Sequence, residues 1–311
     1  MTRRILIIAN PRRPGTIEAG AEAARVLGAA GIETCTDFTA GVSDPIEAAL
    51  VLGGDGTMLH AAERTHGTGI PLLGVNLGRV GFLAELERED VATAAQRLAD
   101  GDYTVEERGT LRVSVTREDG SVATGWALNE ATVERANRLR TLEVSLAVDG
   151  LPLSSFGCDG LVIATATGST AHAFSAGGPV MWPDVDALLC VPLAAHALFA
   201  RPLVVGPESS FQIEVVASSE SKGQVVLDGS RSIDTGRGCL IEVRRGIHGV
   251  RLARMSDAPF TERLVKKFSL PTDGWRGERA HPTPIGREIH GSTAPSPGSP
   301  ARDSAPPDED G

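Results

Sequence analysis

The chain has 311 residues, 41% of them hydrophobic and 23% charged. That length suits two modest domains or one large one, and the composition is ordinary for a soluble globular protein with a real core. A formal net charge of -10 argues against general nucleic-acid binding.

"RRILIIAN" opens the chain as a buried strand, apolar without alternation, as parallel strands often are. Proline ends it, so it is too short for a signal-peptide core or a membrane span. "TIEAGAEAARVLGAAG" predicts a helix from Thr16 to Gly31. "IETCTDF", "AALVLGGDG" and "IPLLGVN" follow as strands, with "TMLHAAERTH" and "EREDVATAAQRLADG" as helices. The alternation predicts a Rossmann-like α/β domain with a parallel sheet covered on both faces. After Tyr103 the texture changes. "LRVSVTRE", "SVATGWALNEATV", "TLEVSLAVDG", "LPLSSFGCDG", "GLVIATATG", "RPLVVG", "FQIEVVAS", "GQVVLDG", "CLIEVRRG" and "GVRLARM" read as strands joined by polar or glycine turns. Only "STAHAFSAGG" and "TERLVKKF" look helical there. The expected organisation is an α/β domain over residues 1–115 and a β-rich, β-sandwich-like domain over 116–255. A helical segment over 256–270 is expected to pack back on the first domain. The Pro-, Gly- and Ser-rich residues 271–311 read as a disordered tail. Cys35, Cys158, Cys190 and Cys239 form no C-x-x-C pair and predict reduced thiols. No stretch approaches roughly 18 uninterrupted apolar residues, so the expectation is a cytoplasmic protein with no membrane partner.

Two turns carry chemistry. "GGDGT" ends a buried strand and feeds a helix, at the sheet edge where α/β folds bind ligands. Gly53, Gly54 and Gly56 permit close backbone approach. Amides around Thr57 at the helix start can hold phosphate oxygens. Asp55 is the odd member, because a carboxylate repels phosphate. It fits a general base on a hydroxyl, or a group that helps position a Mg²⁺–nucleotide. The plain alternative is a tight turn with Asp55 bonded to its own backbone. No G-K-[ST] follows, so the Walker pattern is absent. The second turn is "TATGSTAHAFS". Thr165, Thr167, Ser169, Thr170 and Ser175 offer hydroxyls for ribose or adenine edges, and His172 can stack on a base or bond to it. The bland reading is a capped strand–helix turn. "WALNE" places Asn129 beside Glu130, where adjacent strand residues point to opposite faces.

At these residues the sequence resembles the NAD kinase family. The resemblance rests on "LGGDGTML" (Leu52–Leu59), "PLLGVNLGRVGFLAE" (Pro71–Glu85), "LNE" (Leu128–Glu130), "CDGLVIATATGSTAHAFSAGGP" (Cys158–Pro179), "HALFARPLVV" (His196–Val205) and "LDG" (Leu227–Gly229). They run in the family's order across about residues 1–267. "GGDGT" alone is shared with diacylglycerol and sphingosine kinases and phosphofructokinases; the combination is specific. The resemblance implies phosphorylation of NAD⁺ to NADP⁺ by ATP, or by inorganic polyphosphate in some bacterial members, with Mg²⁺ or another divalent metal. It implies a homodimer or homotetramer. Asp55 would activate the adenosine 2′-hydroxyl, and Gly53, Gly54, Gly56 and Thr57 would hold the pyrophosphate region. Asn129 and Glu130 would contact the dinucleotide. Thr167, Thr170 and Ala171 would line the adenosine pocket, with His172 and Ser175 completing its wall. Asp159 would reach the nicotinamide end, within one subunit or across an interface, and His196 would sit beside the site. Many relatives have tyrosine where this chain has His172, which predicts altered affinity rather than lost activity. A lipid kinase sharing the "GGDGT" loop and a non-catalytic dinucleotide sensor are the rival readings. "TGSTAH" and "LGRVGFL" discriminate against the first, and the intact Asp55 loop against the second.

Overall fold

The computed structural model describes residues 2–11, 15–37, 46–78, 81–256 and 258–272. The expected tail, apart from residues 271–272, lies outside them. In chain order the first part comprises β1 (Arg4–Ala9), α1 (Thr16–Ala29), β2 (Glu33–Cys35), β3 (Ala48–Leu52), α2 (Asp55–Thr65), β4 (Leu72–Asn76), β5 (Leu86–Glu87), α3 (Val91–Asp100) and β6 (Thr104–Arg108). Then come β7 (Leu111–Thr116), β8 (Val122–Ala127), β9 (Glu130–Arg135), β10 (Leu142–Val148), β11 (Leu151–Cys158) and β12 (Gly160–Ala164). A single turn of helix, α4 (His172–Ser175), precedes β13 (Leu188–Leu193), β14 (Leu203–Val205) and β15 (Ser210–Val215). The chain continues through β16 (Gly223–Leu227), β17 (Arg231–Asp234), β18 (Leu240–Arg245), β19 (Val250–Arg254) and α5 (Phe260–Phe268).

Three sheets result. The first has seven strands in the order β2-β1-β3-β4-β19-β6, with β5 on β4. Its centre is parallel, and every residue of β3 and β4 is buried, as expected where helices cover both faces. Ala19, Ala23 and Leu27 of α1 join Ala94, Ala95 and Leu98 of α3 in the core on one face. Met58, Ala61 and Ala62 of α2 join the core on the other. Gly101, in the left-handed conformation at φ 70°, ends α3.

The other two sheets are antiparallel, six strands each, in the orders β11-β10-β15-β18-β7-β8 and β14-β13-β12-β9-β16-β17. Alternation on β7 turns Leu111, Val113 and Val115 inward. They share one core with Val133 of β9, Val144 of β10, Ile213 of β15, Val225 of β16 and Ile241 of β18. That core is the sandwich filling that the alternating strands predict.

The sheets do not follow the expected division at residue 115. β7 already belongs to an antiparallel sheet, so the change falls between Arg108 and Leu111. The strand read from "GVRLARM", expected within the β-rich part, returns to the first sheet as β19. It lies parallel to β4 at Leu252↔Leu72 and antiparallel to β6. The physical reason is the edge of β4: β5 pairs it only at Val75 and Asn76, and the buried Leu72 end would otherwise face an unpaired ladder. The first sheet is therefore mixed. Residues Met1–Leu270 form one unit, and among the described residues no helix is long and apolar enough to cross a membrane.

A buried charge network stands where β19 meets the first sheet's loops. The fully buried Glu85 side chain accepts from Arg254 Nη1 at 2.8 Å, Arg263 Nη2 at 2.5 Å, and the Ser256 hydroxyl at 2.7 Å. Arg254 Nε and Arg108 Nη2 reach Glu106 at 2.8 and 2.9 Å. Burial alone would raise the Glu85 carboxyl, but Ser256 and the two guanidiniums outweigh it and hold it below the usual range. Burial pushes the Arg108 guanidinium down to about 10. Removing one member of a buried pair leaves an uncompensated charge. Glu85→Ala should therefore cost about 3 kcal/mol or more in urea unfolding at pH 7. Because the folded pKa is depressed, Glu85's contribution should be complete above its ordinary value of 4.5 and fade on acidification below it. An unchanged midpoint in the variant would rule this role out.

Candidate active site

The turn after β3 is fixed by packing. Gly53 donates its N–H to Val75 O at 2.9 Å, and a Cβ there would collide with the Thr57 hydroxyl. Gly54 accepts from the amides of Thr57 at 2.8 Å and Met58 at 3.1 Å, starting α2. Gly56 is exposed with open space around it. Asp55 is the first residue of α2, where the helix dipole favours a carboxylate. It does not bond its own backbone. Its oxygens accept the Phe82 N–H, both at 3.1 Å, and the Leu83 N–H at 3.0 Å. A Cβ at Gly81 would collide with the same carboxylate, so "GFL" is cut to fit Asp55. Arg79 and Val80 of that loop lie outside the described residues.

Asn129 and Glu130 stand at the entry to β9 and are only 7% and 8% exposed. Their backbone is held by Asp228. Its carboxylate accepts the N–H groups of Leu128 at 2.9 Å, Asn129 at 2.7 Å and Glu130 at 3.3 Å, and Arg231 Nη2 at 2.7 Å. Burial pushes the Asp228 carboxyl up against those stabilising bonds. Burial first, and the Asp228 charge second, push the Glu130 carboxyl up to about 7, while the His172 N–H opposes them. Asn129 Oδ1 and Glu130 Oε2 are buried with no hydrogen-bond partner. Such atoms are costly unless something else serves them.

The "TATGST" turn is built onto this segment. Thr165 donates its N–H to Asn129 O at 2.9 Å and its hydroxyl to Leu128 O at 2.7 Å, and its Oγ1 accepts the Gly168 N–H at 3.1 Å. A Cβ at Gly168 would collide with Asn129 O, so only glycine lets the two turns meet. The Ser169 hydroxyl bonds Ala166 O at 2.7 Å. Thr165 and Ser169 are therefore spent on the turn itself. Thr167, Thr170 and Ala171 are half-buried, and His172 and Ser175 are exposed. The helix expected from "STAHAFSAGG" is one turn of 3-10 helix, Gly168–Thr170, followed by α4.

The two turns are joined through the core. Leu128 packs in the cluster that holds Met58 of α2 and Leu83 of the Asp55-bound loop. Asp159 and His196 lie elsewhere. In the β9–β12 register Ala164 faces Glu130 and Gly160 faces Glu134, which puts Asp159 at the far end of β12. There Asp159 pairs with Arg135 at 2.9 Å, and the His196 N–H reaches Gly157 O at 2.8 Å. Exposed Leu198 and Phe199 lie next to it in sequence. Sequence reasoning passed over Asp228, Thr165's structural role and Gly81. The "LDG" motif was the available signal: an acid before glycine at the end of an apolar strand.

Among the described residues no group of three or more His, Cys, Asp or Glu side chains is placed to hold a metal ion. Asp55, the acid nearest the phosphate-type turn, already carries backbone amides on both oxygens. The donor set does not build a protein cage for a cation.

Comparison with known proteins identifies the family and the fold. Residues 33–103 match the family model of the ATP-NAD kinase N-terminal domain, and residues 128–255 that of the ATP-NAD kinase C-terminal domain. An NAD kinase of Leifsonia xyli is 51% identical over 295 residues, covering 88% of this chain and 97% of the relative. One of Nocardia farcinica is 46% identical over 307 residues, covering 89% and 94%. Among solved structures, an Archaeoglobus fulgidus NAD kinase superposes with a TM-score of 0.68 at 26% identity, covering 86% of this chain and 99% of that one. Yeast NADH kinase shares the fold, with a TM-score of 0.79 at 22% identity over 89% and 90%.

The electrostatics of Glu130 can be tested directly. A buried acid whose folded pKa is raised favours the folded state below its ordinary value of 4.5 and loses that contribution as pH rises towards about 7. Wild type minus Glu130→Gln stability should fall by about 3 kcal/mol across that window. A difference that stays flat with pH would sink the assignment.

Proposed function

The chain belongs to the NAD kinase family and is an enzyme of that activity. From that premise we propose that it transfers a phosphoryl group from ATP to the adenosine 2′-hydroxyl of NAD⁺, giving NADP⁺. The observation that carries the substrate assignment is the pair of buried oxygens without a protein partner, Asn129 Oδ1 and Glu130 Oε2. They sit beside a hydroxyl-lined turn that glycine allows to approach. A dinucleotide supplies amino and hydroxyl donors for such oxygens, and Thr167, Thr170, Ala171, His172 and Ser175 supply the surrounding wall.

In this reading Asp55 is the general base. A base must come within about 2.6–3.2 Å of the hydroxyl it serves, directly or through one water. The amides of Phe82 and Leu83 fix the direction of its carboxylate. A ribose hydroxyl has a high intrinsic pKa, so alignment contributes more than prior deprotonation. Gly53, Gly54, Gly56 and Thr57 are assigned to the pyrophosphate region. A divalent cation, Mg²⁺ or a similar ion, is proposed to arrive with the donor phosphates; inorganic polyphosphate is a second candidate donor. The solved Archaeoglobus kinase is in complex with ATP and the yeast enzyme with NADH, which supports both ligand classes. Asp159 stands roughly 15 Å along β12 from the Glu130 end, a span on the scale of an extended dinucleotide. In this reading Asp159 reaches the nicotinamide end within one copy or across an interface, His196 sits beside the site, and the enzyme acts as a homodimer or homotetramer in the cytoplasm.

The test is NADP⁺ formation from NAD⁺ and Mg²⁺ with ATP or polyphosphate in parallel. Asp55→Asn should lower kcat by roughly 10²–10⁴-fold while calorimetry shows NAD⁺ binding within a few-fold of wild type. Near-normal turnover in that variant would remove Asp55 from the chemistry.

A further inference from the structure

α5 touches both sides of the candidate site and belongs to neither. Its Phe260 and Phe268 rings each lie 5.8 Å from the ring of Phe82, whose N–H holds Asp55. The Phe268 ring also stacks on Phe174 of α4 at 4.5 Å. α4 begins with His172, whose N–H supports the Glu130 carboxylate. Phe260 meets Trp182 edge-on at 5.2 Å. Two ion pairs tie the same helix to the loop just beyond Phe82: Arg263 to the buried Glu85 at 2.5 Å and Lys266 to Glu87 at 2.9 Å.

The helix has nine residues and none of them is buried. A helix that short is marginal in water on its own, so α5 persists through these ring and ion-pair contacts. It contributes little to the core, yet one ring, Phe268, is shared between the Asp55 loop and the His172 turn. We propose that α5 is a positioning clasp: it sets the spacing between the Asp55-bound loop and the α4 turn, and so aligns the base with the hydroxyl it serves. Phe268 is the positioning residue, acting through Phe82 and Phe174 without touching substrate. The clasp rests on the kinase reading above for its catalytic consequence, but its structural half stands on contacts alone. Misplacing reacting groups by about 1 Å can cost 10²-fold in rate, so a loosened clasp should act on turnover more than on binding.

The experiment uses the full chain with Phe268→Ala and the conservative Phe268→Tyr. Two quantities are read: NADP⁺ formation, and hydrogen exchange at the Phe82 and Leu83 amides, with the β3 amides of Leu50 and Val51 as the internal standard. With Phe268→Ala, kcat should fall about tenfold or more with KM for NAD⁺ changed less than about threefold. The Phe82 and Leu83 amides should exchange faster while β3 stays protected, and Phe268→Tyr should restore both. Unchanged exchange at Phe82 and Leu83, or equal acceleration in β3, would overturn the clasp. So would a rise in KM with kcat intact. A wild-type protein that forms no NADP⁺ would overturn the kinase reading alone, and the exchange result would still decide the clasp.

Discussion

One buried carboxylate organises the candidate site. Asp228 sits just after β16 in a left-handed backbone conformation, φ 48°, that non-glycine residues rarely adopt. Its oxygens bind three successive amides, those of Leu128, Asn129 and Glu130. Charge-assisted bonds to backbone N–H groups are among the stronger hydrogen bonds available, and here they replace the ladder that the chain abandons before β9. Everything on the β-rich side is referred to that segment. Thr165 bonds its carbonyls, Gly168 presses against it, and the two unpartnered oxygens project from it. The constraint extends outward through Arg231, which pairs with Asp228 and lies 4.7 Å over the Trp126 ring. Trp126 in turn stacks on His66 at 3.7 Å, directly after α2. The helix that begins with Asp55 is thus tied at its far end to the carboxylate that holds Asn129.

Charge is distributed unequally among the buried acids, and the distribution follows the available counter-charges. Glu85 has two guanidiniums and a serine and is held ionised. Asp228 has one guanidinium and three amides. Glu130 has only an amide and a neighbouring negative charge, and it is the acid pushed furthest towards neutrality. Carboxyls whose pKa is raised by burial beside another acid cluster at functional sites.

Much of the architecture was legible because it is written in local periodicity. The unbroken apolar runs of β1, β3 and β4 announce a doubly covered sheet, and the alternation in β7, β10 and β15 announces a sandwich. The motif residues Asp55, Asn129 and Glu130 were equally visible as polar groups at strand ends. What periodicity cannot carry is pairing between distant segments. Nothing in "GVRLARM" says that it lies beside β4 rather than beside β18. Likewise, "LDG" does not reveal that its aspartate serves amides about a hundred residues earlier. Asp159 shares a motif with the Thr167 turn, yet β12 separates the two by its own length, a separation that the motif does not express. Glu85 read as part of a motif, and only its three-dimensional surroundings make it the anchor of two arginines.

The return of β19 to the first sheet has a consequence for how the protein is made. Until residue 254 has left the ribosome, β4 lacks its partner at Leu72 and β6 lacks the strand it pairs with. The α/β part is first in the sequence but cannot be first to finish. For the time it takes to synthesise about 140 residues, at roughly 5–20 residues per second, the buried Leu72 end of β4 lacks its partner strand. Closing that edge is the last act of the β-rich part. Assembly of the glycine–aspartate turn into its final surroundings is therefore postponed until nearly the whole 270-residue unit exists. A nascent chain cut short anywhere before β19 holds the motif on a sheet that lacks the strand joining β4 to β6.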